Sequence, residues 1–180
     1  MSKSKLNSID SRSKEQIIIK WFDRKYKIGI GDQKKVDLGC GNFKVEGFDG
    51  VDKRQLPGVN ILHDLEKFPW PFKEESCSIL LAHGLINVIK PWETINFFDE
   101  CWRILEFNGA FVANAAYAGS LESYLDPMAC SFWREETLYC FLADTALYKV
   151  YTPKPWRADV VSVNIDKTDI KFLFRKIHMI

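Results

Sequence analysis

Val36-Asp37-Leu38-Gly39-Cys40-Gly41-Asn42, followed by Gly50-Val51-Asp52, is the stretch that decides the fold. Val36-Asp37-Leu38 reads as a short strand running into a loop with two glycines. Phe48 to Asp52 reads as a second strand that ends on an acid. In open α/β sheets, ligands bind beyond the carboxyl ends of the strands, where the strand order reverses. Glycines at that point remove side chains and let the main chain approach a ligand closely. A carboxylate at the end of the next strand can accept hydrogen bonds from both hydroxyls of a ribose, and Asp52 stands there. The glycine pattern is G-x-G-N, with Lys44 where a dinucleotide fingerprint has its third glycine. This argues against a pyrophosphate seated on a helix N-terminus and permits a nucleoside without phosphates. A plain strand-to-loop turn explains the two glycines but not the acid.

Further along the chain, strand and helix signals alternate. Val59 to His63 reads as a third strand, and Ser78 to His83 as an apolar strand of the buried kind. Pro91 to Leu105 reads as a helix, entered at its proline, with Ile95, Phe98, Trp102 and Leu105 on one face and Glu93, Asn96, Glu100 and Arg103 mostly on the other. A turn at Asn108-Gly109 leads into a strand over Gly109 to Ala113. The segment after Ala116 is irregular, and Arg134 to Asp144 can form another helix. Val160 to Ile165 and Asp169 to Ile177 alternate around a turn, which predicts a terminal antiparallel hairpin. Before the glycine loop, Lys14 to Lys27 carries Ile17, Ile18, Trp21 and Phe22 at helical spacing, which suggests a short leading helix. The expectation is a flexible tail over residues 1–13 and one domain over 14–180. Its fold class is α/β: a Rossmann-like, doubly wound, mostly parallel sheet with helices on both faces and a C-terminal antiparallel hairpin.

Composition bounds the function. The chain has 180 residues, 47% of them hydrophobic, which is too apolar for a disordered chain. No apolar run approaches the about 20 residues of a membrane span, and the polar N-terminus lacks the apolar block of a secretory signal. With 25 Lys+Arg against 24 Asp+Glu, the formal net charge is +1, so there is no general electrostatic case for nucleic acid. The basic N-terminal segment reads as a solvated tail and helix face. Five cysteines, an odd number with no CxxC pair, argue against a disulfide framework or a zinc site and suit a reducing cytoplasm. No cluster with metal-ligand spacing is visible, so no metal is expected.

D-L-G-C-G-N with G-V-D resembles the first two motifs of the class I S-adenosylmethionine-dependent methyltransferases. The resemblance continues through Asp64-Leu65-Glu66-Lys67-Phe68-Pro69-Trp70-Pro71-Phe72, which looks like a D-L-x-x-x-P-W-P-F segment of small members of that family. Glu100-Cys101-Trp102-Arg103-Ile104-Leu105 looks like its E-C-W-R-V-L helix. Asp126-Pro127 with Phe132 to Thr137 resembles a segment beyond the fifth strand. By position, the resemblance implies that Asp37 orders the glycine loop and faces the cofactor's amino group. Gly39, Cys40 and Gly41 would pass under its methionine part and ribose, and Asp52 would hold the ribose hydroxyls. Asp64 and Leu65 would border the adenine. Ala82, His83 and Gly84 would lie beside the sulfonium. The implied cofactor is S-adenosylmethionine, with S-adenosylhomocysteine as product.

Where many relatives read A-S-H-x-L-E-H, this chain reads Ala82-His83-Gly84-Leu85-Ile86-Asn87-Val88. The Glu-His pair is absent. His83 is the candidate base, since histidine exchanges a proton near neutral pH; its bland alternative is a hydrogen-bonded packing residue. Tyr117, Tyr124 and Asp126 follow the fifth strand, where a lid over the site would form, and are the candidate substrate contacts. The expected activity is in-line methyl transfer to an oxygen or nitrogen of a small-molecule acceptor, with neither nucleic acid nor membrane as partner. The rival is a methyltransferase fold that binds the adenosyl ligand without turnover. A nicotinamide-dependent oxidoreductase is a third reading, disfavoured by the missing glycine.

Overall fold

The computed structural model describes residues 33–178; the expected tail and leading helix lie outside the described residues. The chain forms β1 (Lys34–Leu38), β2 (Asp49–Asp52), β3 (Val59–Leu62), β4 (Cys77–His83), α1 (Thr94–Ile104), β5 (Leu105–Ala116), α2 (Glu135–Leu138), α3 (Tyr148–Tyr151), β6 (Trp156–Val163) and β7 (Asp169–Lys176). The seven strands make one sheet in the order β3-β2-β1-β4-β5-β7-β6. β1 to β5 are mutually parallel, while β7 runs antiparallel between β5 and β6. The terminal hairpin therefore forms as expected, with its second strand inside and its first strand at the edge. The order reverses at β1, where β2 lies on one side and β4 on the other.

Alternation along the strands sorts side chains onto two faces. Leu80 and Ala82 of β4, Phe111 and Ala113 of β5, and Phe172 and Phe174 of β7 join α1 in the larger core. Ile79, Leu81, Ala110, Val112 and Leu173 point the other way and pack with Val45 and Phe48 from the β1–β2 connection. The connections from β1 to β2, β2 to β3 and β3 to β4 carry no helix; they are turns. Pro91–Glu93 forms a 3-10 turn that leads into α1. The buried stripe of α1 is Phe97, Phe98, Cys101 and Ile104. It is rotated from the expected Ile95, Phe98, Trp102 and Leu105: Ile95 and Trp102 are half-buried, and Leu105 already belongs to β5. Phe98 is the centre of the aromatic core, stacked on Phe141 at 3.9 Å and on Trp133 at 5.7 Å between ring centroids.

Three further expectations are corrected. β5 begins at Leu105, and the Asn108-Gly109 turn is a bulge inside it, because Cys77 pairs Leu105 while Ile79 pairs Ala110. Asn108 takes φ 61°, its carbonyl accepts from Arg175 Nη1 at 2.9 Å, and a Cβ on Gly109 would lie 2.9 Å from the Glu106 carbonyl oxygen. The helix expected over Arg134 to Asp144 is one α turn followed by a 3-10 turn, Tyr139–Phe141. A 3-10 turn eclipses residues three apart, which aligns Leu138 and Phe141 on the core. Glu100, expected on the polar face of α1, is buried. Its carboxylate accepts from the Trp70 N–H at 2.6 Å and from Arg103 Nε at 2.8 Å and Nη2 at 2.6 Å. Arg103 Nη2 also reaches the Trp70 carbonyl at 3.3 Å. The Trp70 segment and the Glu100–Arg103 helix are thus two halves of one clamp.

Candidate nucleoside-binding site

The carboxyl ends of β1, β2, β4 and β5 meet at one end of the sheet. Asp37, near the end of β1, is buried, and its Oδ2 accepts from the Val45 N–H at 2.9 Å, which ties down the glycine loop. Gly39 and Gly41 have φ of 65° and 55°, left-handed values that glycine adopts without strain. The Cys40 N–H bonds the Val51 carbonyl at 3.1 Å, so the loop leans onto β2. Burial pushes the Cys40 thiol up to about 11, with Asp37 and Asp52 adding to the effect.

Asp52, at the end of β2, is 5% exposed. Its Oδ2 accepts from the Gly41 N–H at 3.0 Å and its Oδ1 from the Arg54 N–H at 2.9 Å. The Arg54 side chain adds a fork, Nε to Oδ1 at 3.1 Å and Nη2 to Oδ2 at 3.2 Å. Burial alone would raise the carboxyl's pKa. The hydrogen bonds from the Arg54 side chain and from the two main-chain N–H groups outweigh it and hold Asp52 below its ordinary value. The carboxylate is therefore anionic and aimed at the glycine loop.

Across from it, His83 ends β4 exposed, and Gly84 turns the chain with φ 61° and open space where a Cβ would stand. The Gly84 N–H donates to Asn114 Oδ1 at 3.0 Å, and Asn114 Nδ2 donates to Asp169 Oδ1 at 2.9 Å. Ala82 is buried in β4 between Leu38 and Ala113. Asp37, Gly39, Cys40, Gly41 and His83 line one cavity of about 170 Å³ with Phe43 and Val45. Beyond β3, the His63 N–H bonds the Asp52 carbonyl at 3.0 Å, which brings Asp64 and Leu65 to the same end. Asp64 caps the Glu66 N–H at 3.2 Å, and Leu65 is buried in the core with its carbonyl bonded by Trp70 Nε1 at 3.1 Å.

Tyr117, Tyr124 and Asp126, expected on a lid after β5, do not line that cavity. Tyr117 is buried and donates its hydroxyl to Glu135 Oε2 at 3.0 Å. Tyr124 is exposed beside Phe132, and Asp126 caps the Met128 N–H at 2.8 Å. Asn87, one of the departures from the family pattern, ties the segment after β5 to the turn after β4. Its Oδ1 accepts from the Ala116 N–H at 3.0 Å, its Nδ2 donates to the Ser131 carbonyl at 3.3 Å, and its own carbonyl accepts from Cys130 and Ser131 N–H groups. Arg54, Leu85 and Asn114 stand beside the candidate site and were not singled out from the sequence. Asn114 had a signal, a polar residue inside an apolar strand, and Arg54 another, a cation two residues past the key acid. Leu85 had none.

A larger hollow of about 790 Å³ lies at the opposite end of the sheet, over the outer face of α1, beside Asp99, Trp102 and Lys154. Its size does not make it the better candidate. Four of its charges already serve one another, Glu100 with Arg103 and Glu75 with Lys176, and Asp99 accepts from the Lys154 main-chain N–H at 2.7 Å. Among the described residues, no group of three or more His, Cys, Asp or Glu side chains could hold a metal ion, and no helix is long and apolar enough to cross a membrane.

No family model matches the chain, and no curated protein does. Solved structures do. An S-adenosylmethionine-dependent methyltransferase from Clostridium acetobutylicum superposes with a TM-score of 0.65 at 12% identity, over 94% of this chain and 93% of that one. SAM-dependent methyltransferases from Aquifex aeolicus and Archaeoglobus fulgidus give TM-scores of 0.60 and 0.58, each at 13% identity. The first match covers 90% of this chain and 89% of that one; the second covers 89% and 94%. The chain has the fold of the class I S-adenosylmethionine-dependent methyltransferases. The polar groups of the site suit that cofactor's nucleoside: a buried anionic carboxylate for the ribose and two left-handed glycines beneath it. The cavity, about 170 Å³, is smaller than the roughly 300–1,000 Å³ of ligand pockets. Beside it, Leu85 Cδ1 lies 2.7 Å from where a Cβ on Gly39 would stand, and Arg54 Nη2 lies 3.7 Å from the same point on Gly41.

Proposed function

We propose that this protein is an S-adenosylmethionine-dependent methyltransferase acting in line on an oxygen or nitrogen of a small acceptor. The observation that carries the reading is the convergence of Gly39, Gly41, buried Asp52 and His83 at the switch point of a β3-β2-β1-β4-β5-β7-β6 sheet. When bound, the sulfonium supplies an activated methyl group and a neutral thioether leaving group. The protein's share is alignment, which can lower a barrier by about 7–11 kcal/mol. Asp52, oriented by the Gly41 and Arg54 N–H groups, accepts the ribose hydroxyls. Asp37 fixes the loop that carries the glycines. His83 takes a proton from an alcohol or phenol acceptor at its imidazole. Asn114 holds the adjoining Gly84 turn, so that the acceptor side stays open. Leu121, Tyr124, Leu125, Met128 and Phe132 expose apolar surface on the segment after β5, which suits an acceptor with an apolar body.

The β1–β2 connection has no helix, so no helix N-terminus stands where a dinucleotide's pyrophosphate would sit. This favours the adenosyl ligand over a nicotinamide dinucleotide. The second reading, an adenosyl-binding protein without catalysis, draws on Asn87, which here ties down the segment after β5 and leaves His83 as the proposed base. Incubation with S-adenosylmethionine and a panel of phenols, alcohols and amines separates the two. Formation of S-adenosylhomocysteine, lost in His83→Ala, supports the enzyme; binding without turnover supports the second reading; no binding refutes both. Free, mostly buried cysteines fit a cytoplasmic setting.

A further inference from the structure

Two of the chain's own side chains stand against the carboxylate and the glycines proposed to meet the nucleoside. Arg54 grips Asp52 with a fork, Nε to Oδ1 at 3.1 Å and Nη2 to Oδ2 at 3.2 Å. Its Nη2 would be 3.7 Å from a Cβ on Gly41, so the guanidinium extends from the acid over the second glycine. The main-chain N–H groups of Gly41 and Arg54 already orient the carboxylate, one on each oxygen. The fork then takes the remaining acceptor capacity that two ribose hydroxyls need. Leu85 does the same to the first glycine. A Cβ on Gly39 would lie 2.7 Å from Leu85 Cδ1, 3.2 Å from Cδ2 and 3.3 Å from Cγ, so the isobutyl group rests in the hollow that the missing side chain creates. Gly84, on the far side, has nothing within 4 Å of its Cβ position. A Cβ on Gly39 would thus collide with Leu85, one on Gly41 would make an ordinary contact with Arg54, and the turn after β4 is open.

We infer that Arg54 and Leu85 set the affinity and the ligand selectivity of this site, because binding is an exchange in which both side chains give up their places to the nucleoside. The inference rests on the adenosyl reading of the site. The two displacements differ in kind. Arg54 is 63% exposed along its side chain and swings into water, exchanging one set of charge-assisted hydrogen bonds for another. Leu85 is half-buried against the core and must change rotamer beside it. A ligand that presents a ribose diol to Asp52 displaces the fork; one that lacks the diol leaves it closed. The selectivity is thus for ligands with both ribose hydroxyls free. The ion pair adds a salt dependence of unusual sign. Screening weakens the Asp52–Arg54 attraction while the hydrogen bonds to neutral hydroxyls are little affected, so added salt favours the ligand.

The test is calorimetric titration of S-adenosylhomocysteine, and of its 2′-deoxy analogue, into wild type, Arg54→Ala, Arg54→Gln and Leu85→Ala at low and high salt. Arg54 projects from the surface, so its variants fold, and thermal melting checks Leu85→Ala. The expected result is that both Arg54 variants bind S-adenosylhomocysteine about two- to fivefold more tightly, the range of an exposed ion pair. They should also lose the gain with salt that wild type shows. Leu85→Ala should bind more tightly at both salt levels, and the deoxy analogue should bind wild type more weakly than the parent. Binding by wild type that is unchanged or weakened in the Arg54 variants would overturn the inference and leave the cofactor site standing. Absence of binding in every protein would overturn the adenosyl reading itself, and the inference with it.

Discussion

Replacing Asn87 by alanine removes two hydrogen bonds that hold the segment after β5 against the turn after β4. Asn87 is 7% exposed. It bonds the Ala116 N–H at 3.0 Å and the Ser131 carbonyl at 3.3 Å. Each partner left without a replacement loses about 1–3 kcal/mol. Ala116 and Ser131 are half-buried, so water reaches them in part and the lower end applies. The sum is about 2–3 kcal/mol. For a chain of this length, 1 kcal/mol moves the melting temperature by roughly 2–4 °C, which gives a drop of about 5–10 °C. Hydrogen exchange followed by mass spectrometry locates the effect. Protection should fall from Ala116 through Ser131, and stay unchanged in β1 and β4. A melting temperature within about 2 °C of wild type, with exchange in that segment unchanged, would refute the clamp.

Glu100→Ala removes the acceptor of the Trp70 N–H and leaves Arg103 a quarter exposed without its partner. A loss of about 3 kcal/mol is expected in denaturant unfolding, the low end for a broken buried pair, with the midpoint shifted and the m-value unchanged. Asp52 and Asp159 are both held below their ordinary values in the fold, so their contribution is present above about pH 4, the carboxyl's unfolded range, and is lost as pH falls below it. The gap in melting temperature between wild type and Asp52→Asn should therefore be full at pH 6 and close on acidification; a gap that widens in acid would contradict the assignment. Burial raises the thiols of Cys40 and Cys77 to about 11 and holds that of Cys101 well above its ordinary value. Iodoacetamide at neutral pH should modify the half-buried Cys130 and Cys140 first, and peptide mapping that finds Cys101 among the early sites would oppose the packing described.

Much of this was legible in the sequence, for physical reasons that differ by element. β1, β2 and β4 were readable because apolar runs end on glycine, aspartate or histidine at the carboxyl end of the sheet, where the chain must turn. The start of β5 was not, because Asn108-Gly109 reads as a turn in any context, and only pairing to β4 makes it a bulge. The stripe on α1 was misplaced because Trp102 is apolar by type, yet it sits at the helix edge with its Nε1 bonded to the Pro155 and Ile177 carbonyls. Glu100 was placed outward because a carboxylate usually is; its burial depends on Trp70, thirty positions earlier. The acid and glycines of the site were legible as types. The occupation of Asp52 by Arg54 and of the Gly39 hollow by Leu85 is a matter of rotamers, which spacing does not encode.

The central claim is that Asp52 is the ribose acceptor of an adenosyl site. Titration of S-adenosylmethionine into wild type and Asp52→Ala tests it most directly, with circular dichroism to confirm that the variant folds. Wild type should bind saturably, and the affinity should weaken about ten- to hundredfold in the variant, the value of hydrogen bonds to a charged group. Equal affinity in the two proteins, or no binding by wild type, would contradict it.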